Sequence, residues 1–344
     1  MGILADNRLK YEAQVPDAQN YTMKITLESS LSLEGIKPYL LQNVCGKRTF
    51  SAQLFGEGGP IVVCLHGFPD NYLTFRYQVP ALVRAGYRVL LPVLPGYDPA
   101  SVDPQGRYQV TELVRWLEGW LDFLDEEKVH LVGHDWGAAV TWLAAVMIPG
   151  RLHSITSIAI PSLHHLARGL LRHPGQLRKS WYMGFFQLPL LPERALTLGD
   201  GWLIRRLWRN WSPGWDAPDG QLYGVCHDLQ QPGVTAAALG YYRCLFRLFD
   251  PENRAGRALL ARKVDLPTLM ISGGRDGCLD TRLFDAGLVE ADFAGGVELY
   301  RLMGAGHFCH LEKPALVNRK LLTFLQAHTP GPVRQAGELA SQLG

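Results

Sequence analysis

Between residues 61 and 301 the chain alternates short, nearly continuous apolar runs with stretches of helical period. The apolar runs are Ile61–Leu65, Arg88–Leu94, Lys128–Gly133, His153–Ile160, Leu266–Ser272 and Val297–Arg301. Helical spacing of apolar residues is clearest in Tyr77–Ala85 and Val110–Leu124. Strands that are apolar on both faces and are joined by helices are typical of a parallel sheet covered on both sides. We therefore predict an α/β fold whose ligands bind beyond the carboxyl ends of the strands.

The alternation lapses between residues 163 and 255, a stretch rich in Arg, Trp, Tyr and Phe. Because strand-like runs resume at Leu266, we predict that residues 163–255 form a helical cap inserted into a discontinuous core of residues 1–162 and 256–344. Residues 20–60 are predicted to add antiparallel leading strands. The expected sheet is mostly parallel, with eight strands.

The composition is typical of a globular enzyme. The chain has 344 residues, of which 47% are hydrophobic and 19% charged, and its formal net charge is only +2. So weak a charge indicates no nucleic-acid partner. No apolar run reaches the ~18 residues that a membrane span needs, and no signal pattern opens the chain, so we expect a cytoplasmic protein without a membrane span. The six cysteines are dispersed without metal-ligand spacing, which favours reduced thiols and no metal.

Residues 131–139 read Leu-Val-Gly-His-Asp-Trp-Gly-Ala-Ala, so Asp135 lies between the end of an apolar run and the start of a helical pattern. Gly133 and Gly137 flank it, two residues away on either side. A sharp strand-to-helix turn strains its central residue and crowds the neighbouring Cβ atoms, so small residues are needed there. Turns of this pattern present catalytic nucleophiles, usually serine.

An aspartate in that place is a different kind of nucleophile. With a reference pKa of about 3.9, a carboxylate is ionised at neutral pH and needs no base before it attacks. Attack by Asp135 on a saturated, electrophilic carbon would leave an alkyl-enzyme ester, and a histidine would then have to activate water. The alternative is that Asp135 caps the helix that follows it.

The motif His66-Gly67-Phe68-Pro69 follows directly on the first apolar run. Gly67 allows close backbone approach, so the Phe68 N–H can point at the site and form an oxyanion hole with the Trp136 N–H. Taken alone, the motif would favour a plain Gly-Pro turn.

Two later loops supply an acid and a base. Gly273-Gly274-Arg275-Asp276 and Gly304-Ala305-Gly306-His307 each follow an apolar run. An acid at the end of a strand can accept the Nδ1–H of the histidine, and Asp276 is the first candidate, with Asp280 as the second. The chain order nucleophile, acid, base matches that of hydrolases with a nucleophile on such a turn. We therefore predict Asp135, Asp276 and His307 as catalytic residues.

Together, four motifs resemble those of the epoxide hydrolase and haloalkane dehalogenase branch of the α/β-hydrolase fold family. They are His66-Gly67-Phe68-Pro69, Gly133-His134-Asp135-Trp136-Gly137, Gly274-Arg275-Asp276 and Gly306-His307, and the resemblance spans about residues 45–328. It implies the α/β-hydrolase fold, with a helical cap. One departure is Pro95, which stands where the family usually carries arginine.

In epoxide hydrolases, two cap tyrosines donate hydrogen bonds to the epoxide oxygen. Residues 181–187 resemble the segment with the first tyrosine, which gives Tyr182. Gly240-Tyr241-Tyr242-Arg243 resembles the segment with the second, which gives Tyr242, with Tyr241 as the alternative. A phenol with a pKa of about 10 stays protonated at pH 7 and can protonate an alkoxide. The alternative interpretation is that Tyr182 and Tyr242 are aromatic core residues in helical cap segments, without a role in catalysis.

The resemblance implies an enzyme that opens an apolar epoxide to a vicinal diol, with water as the second substrate and no cofactor. The first alternative is a haloalkane dehalogenase with the same nucleophile, which would need N–H donors for a halide. Candidate donors are Trp136 and the cap residues Trp181, Trp202, Trp208, Trp211 and Trp215. The second alternative is a catalytically idle scaffold that binds a ligand or a protein. The sequence is compatible with a homodimer but does not determine the oligomeric state.

Overall fold

The computed structural model describes residues 21–26, 31–164, 169 and 172–330. Nine strands form one sheet in these ranges: β1 (Tyr21–Thr26), β2 (Tyr39–Cys45), β3 (Arg48–Phe55), β4 (Ile61–Leu65), β5 (Arg88–Pro92), β6 (Val129–His134), β7 (Leu152–Ile158), β8 (Thr268–Gly273) and β9 (Val297–Leu302). Their order across the sheet is β1-β2-β3-β5-β4-β6-β7-β8-β9. The pairs β1–β2, β2–β3 and β3–β5 are antiparallel, and the others are parallel. The predicted α/β fold with a mostly parallel sheet is confirmed.

The sheet has nine strands, one more than the eight expected. The additional strand is β1, which pairs antiparallel with β2 at the edge of the sheet. An edge strand pairs on one side only, and β1 reads Tyr-Thr-Met-Lys-Ile-Thr, without the continuous apolar run of the central strands. The antiparallel leading strands expected in residues 20–60 are present as β1, β2 and β3.

Alternate residues of the central strands enter separate cores on opposite faces of the sheet. In β4, Ile61, Val63 and Leu65 belong to one core, whereas Val62 and Cys64 belong to the other. All five side chains are fully buried. Complete burial of a side chain such as Val, Ile or Leu contributes about 1.5–3 kcal/mol, so a strand covered on both faces favours an unbroken apolar run.

Helices cover both faces of this sheet. Within the described residues they are α1 (Gln78–Arg84), α2 (Val110–Phe123), α3 (Trp136–Met147), α4 (Gly175–Lys179), α5 (Trp181–Phe185), α6 (Leu191–Thr197), α7 (Trp202–Trp211), α8 (Asp219–Leu229), α9 (Val234–Leu245), α10 (Pro251–Leu260), α11 (Arg282–Gly287), α12 (Cys309–Glu312) and α13 (Pro314–Ala327). Helices α2 and α3 contribute to the core that contains Ile61, and α1 and α13 contribute to the core that contains Val62. None of these helices combines the length and the apolar character that a membrane span requires.

Helices α4 to α9 lie between β7 and β8 in the chain, where the sequence predicted a helical insertion. The helix α10 then returns to the core and packs on α2 and α3. Its N-terminus is capped by Asp250, whose carboxylate accepts from the N–H of Asn253. The predicted limit at residue 255 falls inside α10, and the division into cap and core stays a prediction.

The strand register brings four loops together at one edge of the sheet. Leu65 at the end of β4 pairs with Gly133 near the end of β6, and Gly273 at the end of β8 pairs with Leu302 at the end of β9. Because these strands are parallel, the loops that follow them leave at the same edge. The loops carry Phe68, Asp135, Asp276 and His307.

Candidate active site

Asp135 stands on a strained turn between β6 and α3. Its backbone has φ 51° and ψ −117°, in the half of the map that residues with a Cβ rarely occupy. The turn packs so tightly that a Cβ on Gly133 would lie 2.2 Å from the Gly137 carbonyl oxygen. A Cβ on Gly137 would lie 2.1 Å from the Leu65 carbonyl oxygen. Glycine at both flanking positions is therefore a steric requirement of the turn.

The Asp135 carboxylate does not cap the helix that follows it. Its Oδ1 instead accepts a hydrogen bond of 2.8 Å from the N–H of Phe68. The loop comes this close because residue 67 is glycine, since a Cβ there would lie 2.5 Å from the Asp135 Cβ. The sequence alternative of a simple helix cap is thus contradicted.

Asp135 is almost completely buried yet stays ionised. Burial raises the pKa of its carboxyl group, but the charge of the nearby His307, together with the hydrogen bond from the Phe68 N–H, outweighs that effect and lowers the pKa below its usual value. A buried carboxylate with few hydrogen bonds is poorly solvated, which favours its reaction with an electrophilic carbon.

His307 lies between two carboxylates. Its Nδ1 is 3.0 Å from Oδ2 of Asp276, and its Nε2 is 3.6 Å from Oδ2 of Asp135. The second distance exceeds a hydrogen bond, and this Nε2 has no hydrogen-bond partner among the described residues. Asp280 is not the partner of this histidine, because it pairs with Arg282 instead. The structure thus brings together the three residues that the sequence singled out and separates Asp280 from them.

The same pair of carboxylates controls the charge of His307. Burial lowers the pKa of its imidazole, but the charge of Asp276 and the hydrogen bond to it, together with the charge of Asp135, outweigh burial and raise the pKa to about 10. The resting imidazole is therefore protonated at neutral pH. The reference value of about 6.5 does not describe this histidine.

The two tyrosines from the insertion lie together at the site. Tyr182 of α5 and Tyr242 of α9 have ring centroids 5.8 Å apart, and the Tyr242 ring lies 5.1 Å from that of Trp136. Burial raises the pKa of both phenols well above 10, so both stay protonated at neutral pH. The Tyr182 hydroxyl is 3.3 Å from the Cys278 sulfur.

The hydroxyls of Tyr241 and Tyr242 differ in their contacts. Tyr241 donates to the Pro95 carbonyl oxygen at 2.6 Å, and its ring stacks on Tyr108 at 5.2 Å. The Tyr242 hydroxyl is buried and has no hydrogen-bond partner among the described residues, although the Trp136 indole beside it lowers its pKa slightly. A buried hydroxyl without a partner costs about 1–3 kcal/mol, so such a group is typical of a site that awaits a ligand. The geometry therefore favours Tyr242 over Tyr241 as a donor to substrate.

Of the two amides predicted for an oxyanion hole, the Phe68 N–H already contacts the Asp135 carboxylate. The Trp136 N–H opens helix α3 and makes no hydrogen bond to that carboxylate. Its part in an oxyanion hole stays a prediction.

Cys278 is a neighbour of the site that sequence reasoning missed. Its sulfur, an oxygen of Asp276 and a nitrogen of His307 lie within 4.8 Å of one another, a spacing that could hold a metal ion. The chemistry of the set does not fit one. Burial raises the pKa of the thiol well above 9, which disfavours the thiolate that binds metals, and Nδ1 of His307 is engaged with Asp276. All six cysteines are free thiols, as expected.

The tryptophans proposed as halide donors are unequally placed. The Trp208 indole N–H donates to the Pro69 carbonyl oxygen at 2.7 Å. Trp181 and Trp202 are 45% and 53% exposed. The Trp211 ring lies 5.0 Å from that of His307, so it belongs to the site. Trp136 packs on Tyr242, and Trp211 also packs on Tyr182 at 5.0 Å. Trp181 contacts Tyr182 edge-on at 6.5 Å, although its own side chain is half exposed.

Comparison with known proteins gives one family. A family model described as the alpha/beta hydrolase fold matches residues 60–314. The AB hydrolase superfamily protein YfhM of Bacillus subtilis (strain 168) is 33% identical over 298 residues, which cover 86% of this chain and 99% of that protein. Epoxide hydrolase 4 of Homo sapiens is 29% identical over 281 residues, which cover 79% of this chain and 74% of that protein.

Solved structures give the same picture. Epoxide hydrolase A from Mycobacterium thermoresistibile superposes with a TM-score of 0.66 and 25% identity, over 89% of this chain and 98% of that one. An epoxide hydrolase from an endophytic Streptomyces has a TM-score of 0.71 at 24% identity, over 85% of this chain and 96% of that one, which is a likeness of fold.

Proposed function

This chain belongs to the α/β-hydrolase fold family, and within that family we propose that it is an epoxide hydrolase, which opens an epoxide to a vicinal diol. The observation that carries the proposal is an ionised Asp135 on the strained turn, close enough to two protonated phenols that its charge raises the pKa of both. A carboxylate can attack a carbon of a strained ether without prior activation. The phenols can protonate the oxygen that leaves this carbon.

In the first step, an oxygen of Asp135 attacks one epoxide carbon and the bond from that carbon to the ring oxygen breaks. Tyr182 and Tyr242 hydrogen-bond to the ring oxygen as its charge develops and transfer a proton to it. The products are an ester of Asp135 and a free hydroxyl on the adjacent carbon.

The proton balance of this step involves His307. Esterification removes the charge of Asp135, which is one of the two charges that raise the pKa of His307 in the resting site. The imidazolium therefore becomes more acidic as the ester forms, and its proton replaces the one that the phenols gave to the ring oxygen. A neutral His307 is then produced when a base is needed.

In the second step, neutral His307 removes a proton from water at Nε2, and the hydroxide attacks the ester carbonyl of Asp135. The Phe68 N–H, which already contacts Oδ1, donates to the developing oxyanion, and we assign the Trp136 N–H to it as the second donor. The intermediate collapses to the diol and the Asp135 carboxylate, and His307 keeps the proton taken from water. Asp276 orients the ring throughout.

We assign the helical insertion the role of a cap, with residues 163–255 as the cap and residues 1–162 and 256–344 as the core. Both proposed proton donors come from insertion helices, and the nucleophile, acid and base follow strands of the sheet. The aromatic rings around Tyr242, among them Phe68 and Phe186 at 5.3 and 5.0 Å, favour an apolar epoxide as the substrate.

The proposal is tested by product analysis with two probes. Incubation with a styrene-oxide-type epoxide is expected to give the vicinal diol, and a bromoalkane is expected to release no bromide. In a single turnover in water labelled with ¹⁸O, the first label should enter the Asp135 carboxylate and not the diol. Bromide release without diol would identify a dehalogenase, and neither product would indicate a scaffold without catalysis.

A prediction separates the two acids that follow β8. Asp276→Asn should slow diol formation by about 10²–10⁴-fold, because the imidazole loses the charge that orients it and stabilises its protonated form. Asp280→Asn should change the rate less than about 3-fold, since this acid contacts Arg282 and not His307. Steady-state rates of both variants are the measurement, and equal losses would contradict the assignment.

A further inference from the structure

The backbone amides of residues 306–308 donate hydrogen bonds to residues of two helical segments. The N–H of Gly306 donates to Oε1 of Glu312 at 2.8 Å, and the N–H of His307 donates to the carbonyl oxygen of Trp211 at 3.0 Å. The N–H of Phe308 donates to Oγ of Ser212 at 3.1 Å. Three consecutive amides therefore have acceptors on two residues at the end of α7 and one residue of α12.

The same turn of the insertion also holds the loop of the acid. The Trp211 carbonyl oxygen accepts a second hydrogen bond, from the N–H of Gly277, at 3.0 Å. A Cβ on Gly277 would lie 1.9 Å from the Asn210 carbonyl oxygen, and a Cβ on Gly306 would lie 2.5 Å from Cα of Ser212. Both loops therefore need glycine, at positions 277 and 306, because the backbone of the insertion lies too close for a Cβ atom.

Ser212 and Glu312 form the side-chain part of this arrangement. Ser212 is completely buried, and its hydroxyl donates to Oε1 of Glu312 at 2.7 Å while it accepts from the Phe308 amide. Burial raises the pKa of Glu312, and the hydrogen bonds from Ser212 and Gly306 oppose that effect. A hydroxyl that both donates and accepts in a dry site has a single defined orientation.

We propose that Ser212 and Glu312 are positioning residues for His307, through which the insertion controls hydrolysis of the alkyl-enzyme but not its formation. The second half of this statement depends on the proposed function. Formation of the ester needs Asp135 and the phenols, and neither Ser212 nor Glu312 hydrogen-bonds to any of them among the described contacts. Hydrolysis needs Nε2 of His307 to hold water in line with the ester, and a misplacement of 1 Å can cost about 10² in rate.

Glu312 also acts on His307 through its charge. The two groups attract each other when His307 is protonated, which lowers the pKa of Glu312. Because a charge interaction is mutual, the same attraction favours the protonated form of His307. The other titratable groups near His307 are Asp135, Asp276, His134, His310 and Cys278. The carboxylates raise its pKa, both histidines are neutral because burial lowers their own pKa, and burial keeps the Cys278 thiol protonated. Removal of the Glu312 charge alone should therefore make the imidazole more acidic.

The first test is Ser212→Ala, with single-turnover rates of ester formation and ester hydrolysis measured separately by rapid quench and mass spectrometry. Hydrolysis is expected to slow by about 10–100-fold while ester formation changes less than about 3-fold, so that the Asp135 ester accumulates. Ser154→Ala is the matched control, because Ser154 is equally buried and its hydroxyl lies 2.8 Å from Nδ1 of another buried histidine, His130. That variant should leave the ratio of the two rates unchanged.

The second test is Glu312→Gln, which keeps an oxygen acceptor for Gly306 and Ser212 but removes the charge. The acid limb of the hydrolysis rate should move to lower pH, and the NMR titration of His307 in the resting protein should show a lower pKa than in the wild type. Slower hydrolysis with both midpoints unchanged would mean that Glu312 positions His307 but does not act through its charge.

The titration needs no epoxide, so it decides the proposal even if the protein forms no ester. An unchanged His307 titration in Glu312→Gln would overturn the charge effect, and equal slowing of both steps in Ser212→Ala would overturn the positioning role. Failure of the proposed function has a different signature, since the wild-type protein would then form no Asp135 ester at all.

Discussion

His307→Gln is expected to leave the protein trapped as its alkyl-enzyme. With an epoxide, the peptide that contains Asp135 should gain the mass of one substrate, while diol formation falls by about 10²–10⁴-fold. Attack by Asp135 and proton donation by the phenols do not use the imidazole as a base, whereas hydrolysis does, and glutamine cannot take a proton from water. Intact-protein and peptide mass spectrometry are the measurements.

The conditions of this experiment follow from the electrostatics of the site. Burial raises the pKa of Asp135, and His307 is the main group that lowers it again. A glutamine at position 307 therefore leaves the nucleophile easier to protonate, so the incubation belongs at about pH 9 as well as at pH 7. If no adduct formed at either pH, the proposal that Asp135 attacks the epoxide and His307 serves only ester hydrolysis would be wrong.

Two further variants complete the comparison. Asp135→Asn should form no adduct, because an amide is a poor nucleophile. His153→Gln changes a histidine on β7 that only partly enters the interior, and it should leave turnover within about 2-fold of the wild type. An adduct on any residue other than Asp135 would point to a different nucleophile.

The sequence was sufficient for the sheet and for the order of the catalytic candidates, and the reason is physical. Fully buried strands such as β4 require continuous apolar runs, and parallel strands send their following loops to one edge. Asp135, Asp276 and His307 each follow such a run, so their proximity could be predicted without coordinates. The expected count of eight strands was one short of the nine observed, because an edge strand such as β1 need not be apolar.

Two other features could not be predicted because they depend on three-dimensional detail. Tyr241 and Tyr242 are neighbours on α9, about 100° apart around its axis, and only packing decides which hydroxyl binds Pro95 and which stays free. The hydrogen bond from the His307 N–H to the Trp211 carbonyl oxygen joins two backbone groups. Every residue has a backbone carbonyl, so no sequence pattern indicates this bond. The glycines at 277 and 306 were the only trace of that contact in the sequence.

The raised pKa of His307 is a third such case. It arises from two carboxylates at 3.0 and 3.6 Å from one buried ring, and neither distance can be inferred from chain order. A reference value of about 6.5 would predict a neutral resting imidazole. The observed surroundings predict a protonated one that loses its proton when Asp135 is esterified.

Tyr182→Phe and Tyr242→Phe are expected to slow ring opening modestly one at a time and to abolish it together. Either phenol can still protonate the ring oxygen when the other is absent, but the double variant leaves no donor for an alkoxide that is far more basic than phenolate. The double variant should therefore lose about 10²–10⁴-fold in the rate of ester formation, more than the product of the two single losses.

The two single variants should differ from each other and from a matched control. Tyr242→Phe removes a hydroxyl that has no partner in the resting site, so stability should not fall, and rapid-quench rates should report only the lost donor. Tyr182→Phe also removes the contact with Cys278 and should cost some stability, measured by denaturant unfolding. Tyr241→Phe removes the bond to Pro95 and should lower stability by about 0.5–1.5 kcal/mol while ring opening stays within about 3-fold. Losses in the double variant that merely multiply would mean that the two phenols do not share one oxygen.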